Sequence, residues 1–557
     1  MWRDRWRDRG VPSDHDTGPP QAWVELFAAT PHYRRVGVEQ LRDDRVFRWE
    51  FGPMHYRGRL DGTAKVLVIG QEGAQDESLS HRSFTGGSGA RMQHLLGHLG
   101  ITRSYLFLNT FVYPIHGEYE RRLRPLAQDE SSPIVIHRHR LLEQAAQSSD
   151  LRLVISVGVA ARETVATWRR MRGGELPARV RHVHVVHPGA ATAGGGEDVR
   201  RSFAEAVSTV AAAMDDDAGW LPADPGVARD LAGEYRLGSA PVPFADLPFG
   251  ICWRLGRGST SSNRRDGGRS IQLFSARGKY DARDVQYAGS ARGSREGYAQ
   301  DDGDLAYEPP KARAMAFDRG PGAVWARLLM GGEPGADWPD FERLGLPCDD
   351  SMGFGPVLRG RPDDAVAVVL ADPAGHDDVF TGRALTGDLG QRLQRFLALA
   401  GLTTSYAILR VCPVPVAGAT PAALDRLLED PGLRGLLRTA LQRMSRAQVL
   451  LTLGPLAARV ASHVNARDLP VVALDPAAEG WQATRAALDA MALDRDQAPG
   501  PAYDGARGQV AREDLAYGTV RWWATSGDRA LPGIVGDRPS ADYVKVVMPA
   551  WAADLDL

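Results

Sequence analysis

The chain has 557 residues, 67 of them basic and 69 acidic, for a formal net charge of -2 at pH 7. Hydrophobic residues make up 43% and charged residues 24%, which excludes wholesale disorder and predicts three or four domains, or two large ones. The three cysteines, Cys252, Cys348 and Cys412, lie too far apart for a disulfide framework, a four-Cys zinc site or a four-Cys iron–sulfur cluster. Among the basic residues only Lys65, Lys279, Lys311 and Lys545 are Lys. Codon usage in a GC-rich genome is the expected cause of that Arg bias, with the planar Arg fork for phosphate and base edges as the alternative, so only local patches can argue for a nucleic-acid partner.

In chain order, the first ten residues alternate Arg and Asp around two Trp and lack the apolar stretch of a secretory leader. No apolar run approaches the ~18 residues of a membrane span, and a reduced cytosolic protein is expected. Residues 66–69 read as a short apolar strand and 91–99 as a helix. A second strand is expected over 105–109, a long helix over 133–147, a third strand over 153–157 and a helix over 161–171. A fourth strand over 183–186 and a closing helix over 199–214 complete the series. Apolar strands alternating with helices predict an α/β fold with a mostly parallel sheet covered on both faces. In such sheets ligands bind beyond the carboxyl ends of the strands. Those ends lead into residues 71–88, 109–116, 158 and 187–196.

The chain then repeats itself. Phe51-Gly52-Pro53 lies over Phe354-Gly355-Pro356, and Arg57-Gly58-Arg59 over Arg359-Gly360-Arg361. Thr85-Gly86 matches Thr386-Gly387, and Ser104-Tyr105 matches Ser405-Tyr406. Trp23 matches Trp325, and Asp246-Leu247 matches Asp514-Leu515. The period is far too long for a solenoid, so a tandem duplication of one large domain is expected. The expected division is 18–215, an appendage and linker over 216–319, a second domain over 320–495 and a second appendage over 496–557. Each appendage reads as a β-hairpin, with arms at 251–255 and 270–274 and again at 520–523 and 543–547. Residues 277–320 read as the linker.

With these motifs the chain resembles the uracil-DNA glycosylase superfamily. Val66-Leu67-Val68-Ile69-Gly70-Gln71-Glu72, then Ser83-Phe84-Thr85-Gly86, Arg91, residues 105–109 and Val185-Val186-His187-Pro188-Gly189 carry the likeness. In the second copy it is carried by Asp372-Pro373-Ala374-Gly375-His376 and the run from Phe380 to Asp388. The resemblance implies two tandem glycosylase-like α/β/α domains. It implies Glu72 as the acid that orients water and stabilises an oxocarbenium-like sugar, with Asp76 or Glu77 as alternatives. It implies His187 as the donor that stabilises the departing base. Phe84 would stack on a flipped base and Asn109 would read its edge, with Gly70, Gln71 and Ala74 lining the site. DNA contacts are expected at Arg82, Arg91, Gly189, Arg200, Arg264 and Arg265.

His182 and His184 share a strand face, but no further ligand stands at metal spacing. Neither metal nor cofactor is expected, and DNA is the expected partner. His137 and His139 read as exposed helix residues. In the second copy Phe84 becomes Leu385, Asn109 becomes Arg410 and His187 becomes Asp475, so that copy is expected not to excise a base. Support of the first domain, or DNA contact through Arg383, Arg392, Arg395 and Arg410, remain its two readings. The uracil-specific branch carries a bulky Tyr after its first-motif acid. Gly73-Ala74-Gln75 here leaves room at pyrimidine C5, and no large apolar wedge follows His187. The expected substrate is a bulky C5-modified cytosine, such as glucosylated hydroxymethylcytosine of phage DNA. Uracil repair and a catalytically inactive sensor of modified DNA are the rivals. A nucleotide-binding protein is disfavoured by the lack of phosphate-loop motifs.

Overall fold

The computed structural model describes residues 14–42, 46–47, 53–73, 77, 80–115, 119–229, 231, 233–251, 270–275, 316–341, 343–346, 357–373, 378, 381–414, 416, 419–508, 510–519, 530–535 and 538–548. In chain order the first part comprises α1 (Gln21–Ala28), α2 (Tyr33–Leu41), β1 (Arg57–Gly58), β2 (Val66–Gly70), α3 (Gly87–His98) and β3 (Tyr105–Asn109). It continues with α4 (Arg124–Gln128), α5 (Pro133–Ser148), β4 (Leu153–Val157), α6 (Val159–Met171), β5 (Arg181–Val185) and α7 (Gly196–Asp216). The second part comprises α8 (Gly322–Leu329), β7 (Leu358–Gly360), β8 (Ala367–Ala371), α9 (Asp388–Leu399) and β9 (Tyr406–Arg410). It continues with α10 (Pro421–Glu429), α11 (Pro431–Arg443), β10 (Val449–Leu453), α12 (Pro455–Val464), β11 (Val471–Leu474) and α13 (Ala478–Asp489). Between the two lies β6 (Ser270–Ser275), and β12 (Ala530–Val535) and β13 (Arg538–Met548) follow the second.

The N-terminal sheet runs β1-β3-β2-β4-β5, and the C-terminal sheet, read from its other edge, runs β7-β9-β8-β10-β11. Both are parallel except for the short edge strand, which pairs antiparallel with its neighbour. The fold is thus α/β, with two mostly parallel five-stranded sheets of the same strand order. Strands β2, β3 and β4 are buried throughout, as their unbroken apolar runs require between two helical layers. One face of the first sheet packs with Met92, Leu95 and Leu96 of α3 and Val199 and Phe203 of α7. The other packs with Leu141 and Leu142 of α5 and Val165 and Trp168 of α6.

The described hairpin residues depart from the expected arrangement. Instead of two separate hairpins, β12, β13 and β6 form one sheet. The segment around Tyr543 pairs antiparallel with β12 and parallel with β6. Arms 252–255 and 520–523, and Arg264 and Arg265 at the first tip, lie outside the described residues, as does the linker from 276 to 315. His137 corrects another expectation: it is buried, with Nε2 2.8 Å from the Leu26 carbonyl, because α1 covers that face of α5.

A buried charge network fastens the segment after α7 to the first sheet. Asp246 accepts hydrogen bonds from Arg57 at 2.7 Å, from Tyr105 Oη at 2.7 Å and from Arg59. The second part repeats it, with Asp514 beside Arg359 and accepting from Tyr406 Oη.

The two parts also hold each other reciprocally. Arg82 Nε donates to Asp16 Oδ2 at 2.6 Å, and Arg82 Nη1 donates to the Tyr517 carbonyl at 2.9 Å. Arg383 Nε donates to Asp318 Oδ2 at 2.6 Å, and Arg383 Nη1 donates to the Phe249 carbonyl. Each Arg belongs to one sheet's unit and each carbonyl follows the other. The same patch is used on both sides, as in an isologous interface.

Two outcomes follow. Replacing Asp246 with Ala strands the Arg57 guanidinium without its carboxylate, and urea denaturation should register a loss of about 3–5 kcal/mol. Burial, with His137 and Arg82 nearby, lowers the His55 pKa to about 3. The unfolded state therefore takes up a proton near pH 6.5 that the folded state refuses, and stability falls as pH is lowered. One such histidine contributes about 2 kcal/mol of loss between pH 6.5 and 5. Denaturation of His55→Phe at pH 7, 6 and 5 should show a slope shallower by one proton.

Candidate active site

The carboxyl ends of β2 and β3 meet in register, Gly70 opposite Asn109. A Cβ on Gly70 would overlap the Phe84 ring and lie 2.7 Å from Asn109 Oδ1. Only glycine admits this approach, so Gly70, Phe84 and Asn109 form one cluster at the sheet edge. Asn109 is 3% exposed. Its Nδ2 reaches Ser83 Oγ at 3.4 Å, while its Oδ1 is buried with no hydrogen-bond partner among the described residues. A buried acceptor left open costs free energy until a donor arrives.

The Phe84 ring packs against Phe107, with centroids 4.9 Å apart. Its backbone is left-handed, with φ at 56°, a strained state for a residue with a Cβ. The surrounding loop over-determines it. Ser83 N–H donates to the Tyr56 carbonyl at 3.0 Å, and Arg57 Nε donates to the Ser83 carbonyl at 3.0 Å. Glu77 Oε1 accepts from Thr85 N–H and Gly86 N–H, each at 2.9 Å. Glu77 is buried, and this oxygen is committed to the loop, so its place is beneath Phe84 holding the backbone.

Glu72 stands two residues beyond β2, half-buried, with Gln71 Nε2 3.3 Å from its Oε2. Ala74 and Asp76 lie outside the described residues. His187 stands two residues beyond β5, two strands away in the sheet, or about 10 Å at the backbone. Its Nδ1 accepts the Gly189 N–H at 3.1 Å. That bond places the neutral ring's proton on Nε2, which becomes a donor. His187 is open to solvent, yet desolvation by the surrounding protein and then the Arg91 guanidinium pull its pKa below 6.5. At the end of β4, between Glu72 and His187, Gly158 passes close behind the imidazole, where a Cβ would lie 3.2 Å from that of His187.

The expected DNA contacts separate into two groups. Arg82 is 1% exposed and fully engaged with Asp16, the His81 carbonyl and the Tyr517 carbonyl, so it is a structural guanidinium rather than a phosphate ligand. Sequence gave no sign of this, because its partners lie 66 and 435 residues away. Arg91 braces the turn after β5 by donating to the Pro188 carbonyl. Gly189 contributes its N–H to His187, and Arg200 is exposed in the first part of α7. His182 and His184 converge on the buried Ser156 hydroxyl, at 2.8 and 3.1 Å.

The second sheet shows how the same edge closes. Arg410 occupies the position of Asn109, opposite Ala371. Its guanidinium binds both Asp378 oxygens, at 2.8 and 3.1 Å, and the Asp372 and Pro373 carbonyls. An ion pair therefore occupies the position that Asn109 holds in the first sheet. Asp372 accepts the Ala457 N–H at 2.8 Å and caps α12. Asp475 keeps the turn geometry of His187, accepting the Ala477 N–H at 2.9 Å, but a carboxylate offers no donor. Arg410 and Arg383 are buried and paired, which removes them as DNA contacts; Arg395 is half-buried and paired with Asp504.

Gly70→Ala should force the Phe84 ring aside. Urea denaturation is expected to show a loss of about 1–3 kcal/mol from overpacking. Ala371→Gly, at the matching position of the second sheet, relieves no such overlap.

No curated protein matches this chain. Residues 58–210, which span β1 to most of α7 and hold every described N-terminal site residue above, match the family model of the uracil DNA glycosylase superfamily. Over residues 58–210 the chain is therefore similar to the uracil DNA glycosylase superfamily, whose members generally hydrolyse N-glycosidic bonds in DNA.

Proposed function

We propose that this protein is a monofunctional DNA glycosylase that excises a flipped, C5-modified cytosine, with the N-terminal unit as the only catalytic one. The observation that carries the reading is the pairing of a neutral imidazole donor at His187 with a carboxylate at Glu72 on one sheet edge. Cleavage of the bond between sugar and base builds positive charge on the sugar and negative charge on the base. The Glu72 carboxylate stabilises the former and orients the attacking water. His187 Nε2–H donates to the base carbonyl as negative charge grows there; being neutral, it loses no proton in doing so. Asn109 Oδ1, with no partner among the described residues, accepts an N–H from the base edge, and Phe84 supplies the apolar floor.

The modified-base part of the proposal rests on the small residues Gly73 and Ala74 after Glu72, where a bulky side chain would close the space at C5. Bulky C5 groups on cytosine occur in hypermodified phage DNA, where an abasic product would block replication. Anti-phage defence is thus the biological role we assign. The C-terminal unit is read as a duplicated copy that has lost excision.

Duplex oligonucleotides carrying uracil, hydroxymethylcytosine or glucosylated hydroxymethylcytosine test this by the appearance of alkali-labile sites. Cleavage of the glucosylated substrate is expected, and activity confined to uracil would overturn the modified-base reading. His187→Ala should lower kcat by about 10²–10³, the cost of removing one transition-state donor. Glu72→Gln should lower it at least as far while DNA binding persists. DNA binding without any abasic product in the wild-type protein would instead favour a sensor of modified DNA.

A further inference from the structure

The reciprocal contacts between the two units are alike in chemistry but unequal in what they support. On the N-terminal side the clamped residue, Arg82, lies two positions before Phe84. On the C-terminal side its counterpart Arg383 lies two positions before Leu385. Both Phe84 and Leu385 are left-handed at φ 56°. The N-terminal loop carries a further left-handed residue with a side chain, His81 at φ 58°, where the C-terminal loop has Gly382. Left-handed backbone is costly with a Cβ and nearly free for glycine. The N-terminal loop therefore stores more strain and needs more from its surroundings.

Part of that support comes from the far end of the chain. The Tyr517 carbonyl accepts from Arg82, which also donates to the His81 carbonyl at 2.8 Å. The Tyr517 ring packs near Phe27, His55 and Phe317. Gly518, at φ 92°, lies so close that a Cβ there would stand 3.1 Å from that of His81. From the inner side, Glu77 and Arg57 hold the same loop. The segment that follows Asp514 thus forms the outer jaw of a clamp on the loop bearing Phe84.

We infer that the C-terminal unit acts on the reaction by positioning: through Tyr517 and Gly518 against His81 and Arg82, it fixes the Phe84 loop in the geometry that receives the base. This rests on the glycosylase reading above for its catalytic consequence, though not for its structural one. Arg82, Tyr517 and Gly518 are positioning residues, since none is placed against the reacting atoms.

The test uses the full-length chain and the symmetry of the interface. Arg82→Lys keeps a charge but loses the fork that binds Asp16 through Nε while Nη1 binds the His81 and Tyr517 carbonyls. Arg383→Lys makes the same change on the side where no catalytic loop depends on it. Gly518→Ala strains the outer jaw without altering the loop's own residues. Melting temperature, kcat and KM on the excised substrate, and amide hydrogen exchange over residues 80–89 are measured for each. Arg82→Lys and Gly518→Ala should lower kcat roughly tenfold to a hundredfold, as expected for a misplaced catalytic geometry, with KM little changed. Both should speed exchange over 80–89, whereas Arg383→Lys should lower the melting temperature alone.

Equal kcat in Arg82→Lys and Arg383→Lys at similar loss of melting temperature would overturn the inference. So would unchanged exchange over 80–89 in Arg82→Lys and Gly518→Ala. If the wild-type protein excises none of the bases tested, the glycosylase reading fails by itself. The exchange measurement then still decides whether the jaw holds the loop.

Discussion

The Arg57 guanidinium is the contact on which most of the N-terminal unit depends. It lies over the Phe107 ring at 4.0 Å, donates to Asp246 and to Gln93 Oε1, and holds the Ser83 carbonyl. One buried cation thereby joins the edge strand, the third strand, helix α3, the segment after α7 and the loop that carries Phe84. A buried guanidinium is tolerated only where its charge is matched and its fork is used. Asp246 supplies the charge and the Ser83 carbonyl part of the fork. The chain between 216 and 251, which reads as an appendage, is through Asp246 an integral part of the sheet's core.

The second unit repeats this scaffold but differs at the strand ends. Arg359, Tyr406 and Asp514 repeat the buried network, and Asp318 with Arg383 repeats the interface. What changes sits at the strand ends. An amide that leaves an acceptor open, Asn109, is replaced by Arg410, whose guanidinium consumes Asp378 and two carbonyls. Asp378 stands where Glu77 stands and performs the same service, accepting the Leu385 N–H at 2.7 Å. The loop thus remains folded while the space beside it fills. Scaffold and chemistry separate because the scaffold uses buried side chains facing the sheet, whereas the chemistry uses only the few residues that project beyond it.

The strands were legible because residues buried on both faces of a parallel sheet form unbroken apolar runs. The expected spans 105–109 and 153–157 coincide with β3 and β4. Helix starts were less legible. α3 begins at Gly87, four residues before the expected start, because Gly87-Ser88-Gly89 is weak in helix propensity and is held by packing. The pairing of β6 with β13 could not be read locally, since the two strands lie more than 260 residues apart in sequence. Gly70, Asn109 and His187 stand at or just beyond strand ends, where the apolar runs of the sequence stop. Glu77 was taken for an acid because a carboxylate's role depends on which N–H groups surround it. Arg82 was taken for a DNA contact for the same kind of reason.

By itself, the sequence determined the alternation of buried strands and helices and the likeness between its two halves. These are local matters of hydrophobic period and residue identity. Tertiary structure alone decided which charges are buried, which donors are already spent and which segment of one unit braces the other. Arg82, Arg383 and Arg410 are indistinguishable from surface arginines until their carboxylate and carbonyl partners are brought to them from distant parts of the chain. Electrostatic role is set by the neighbours within hydrogen-bonding reach, and long-range folding chooses those neighbours.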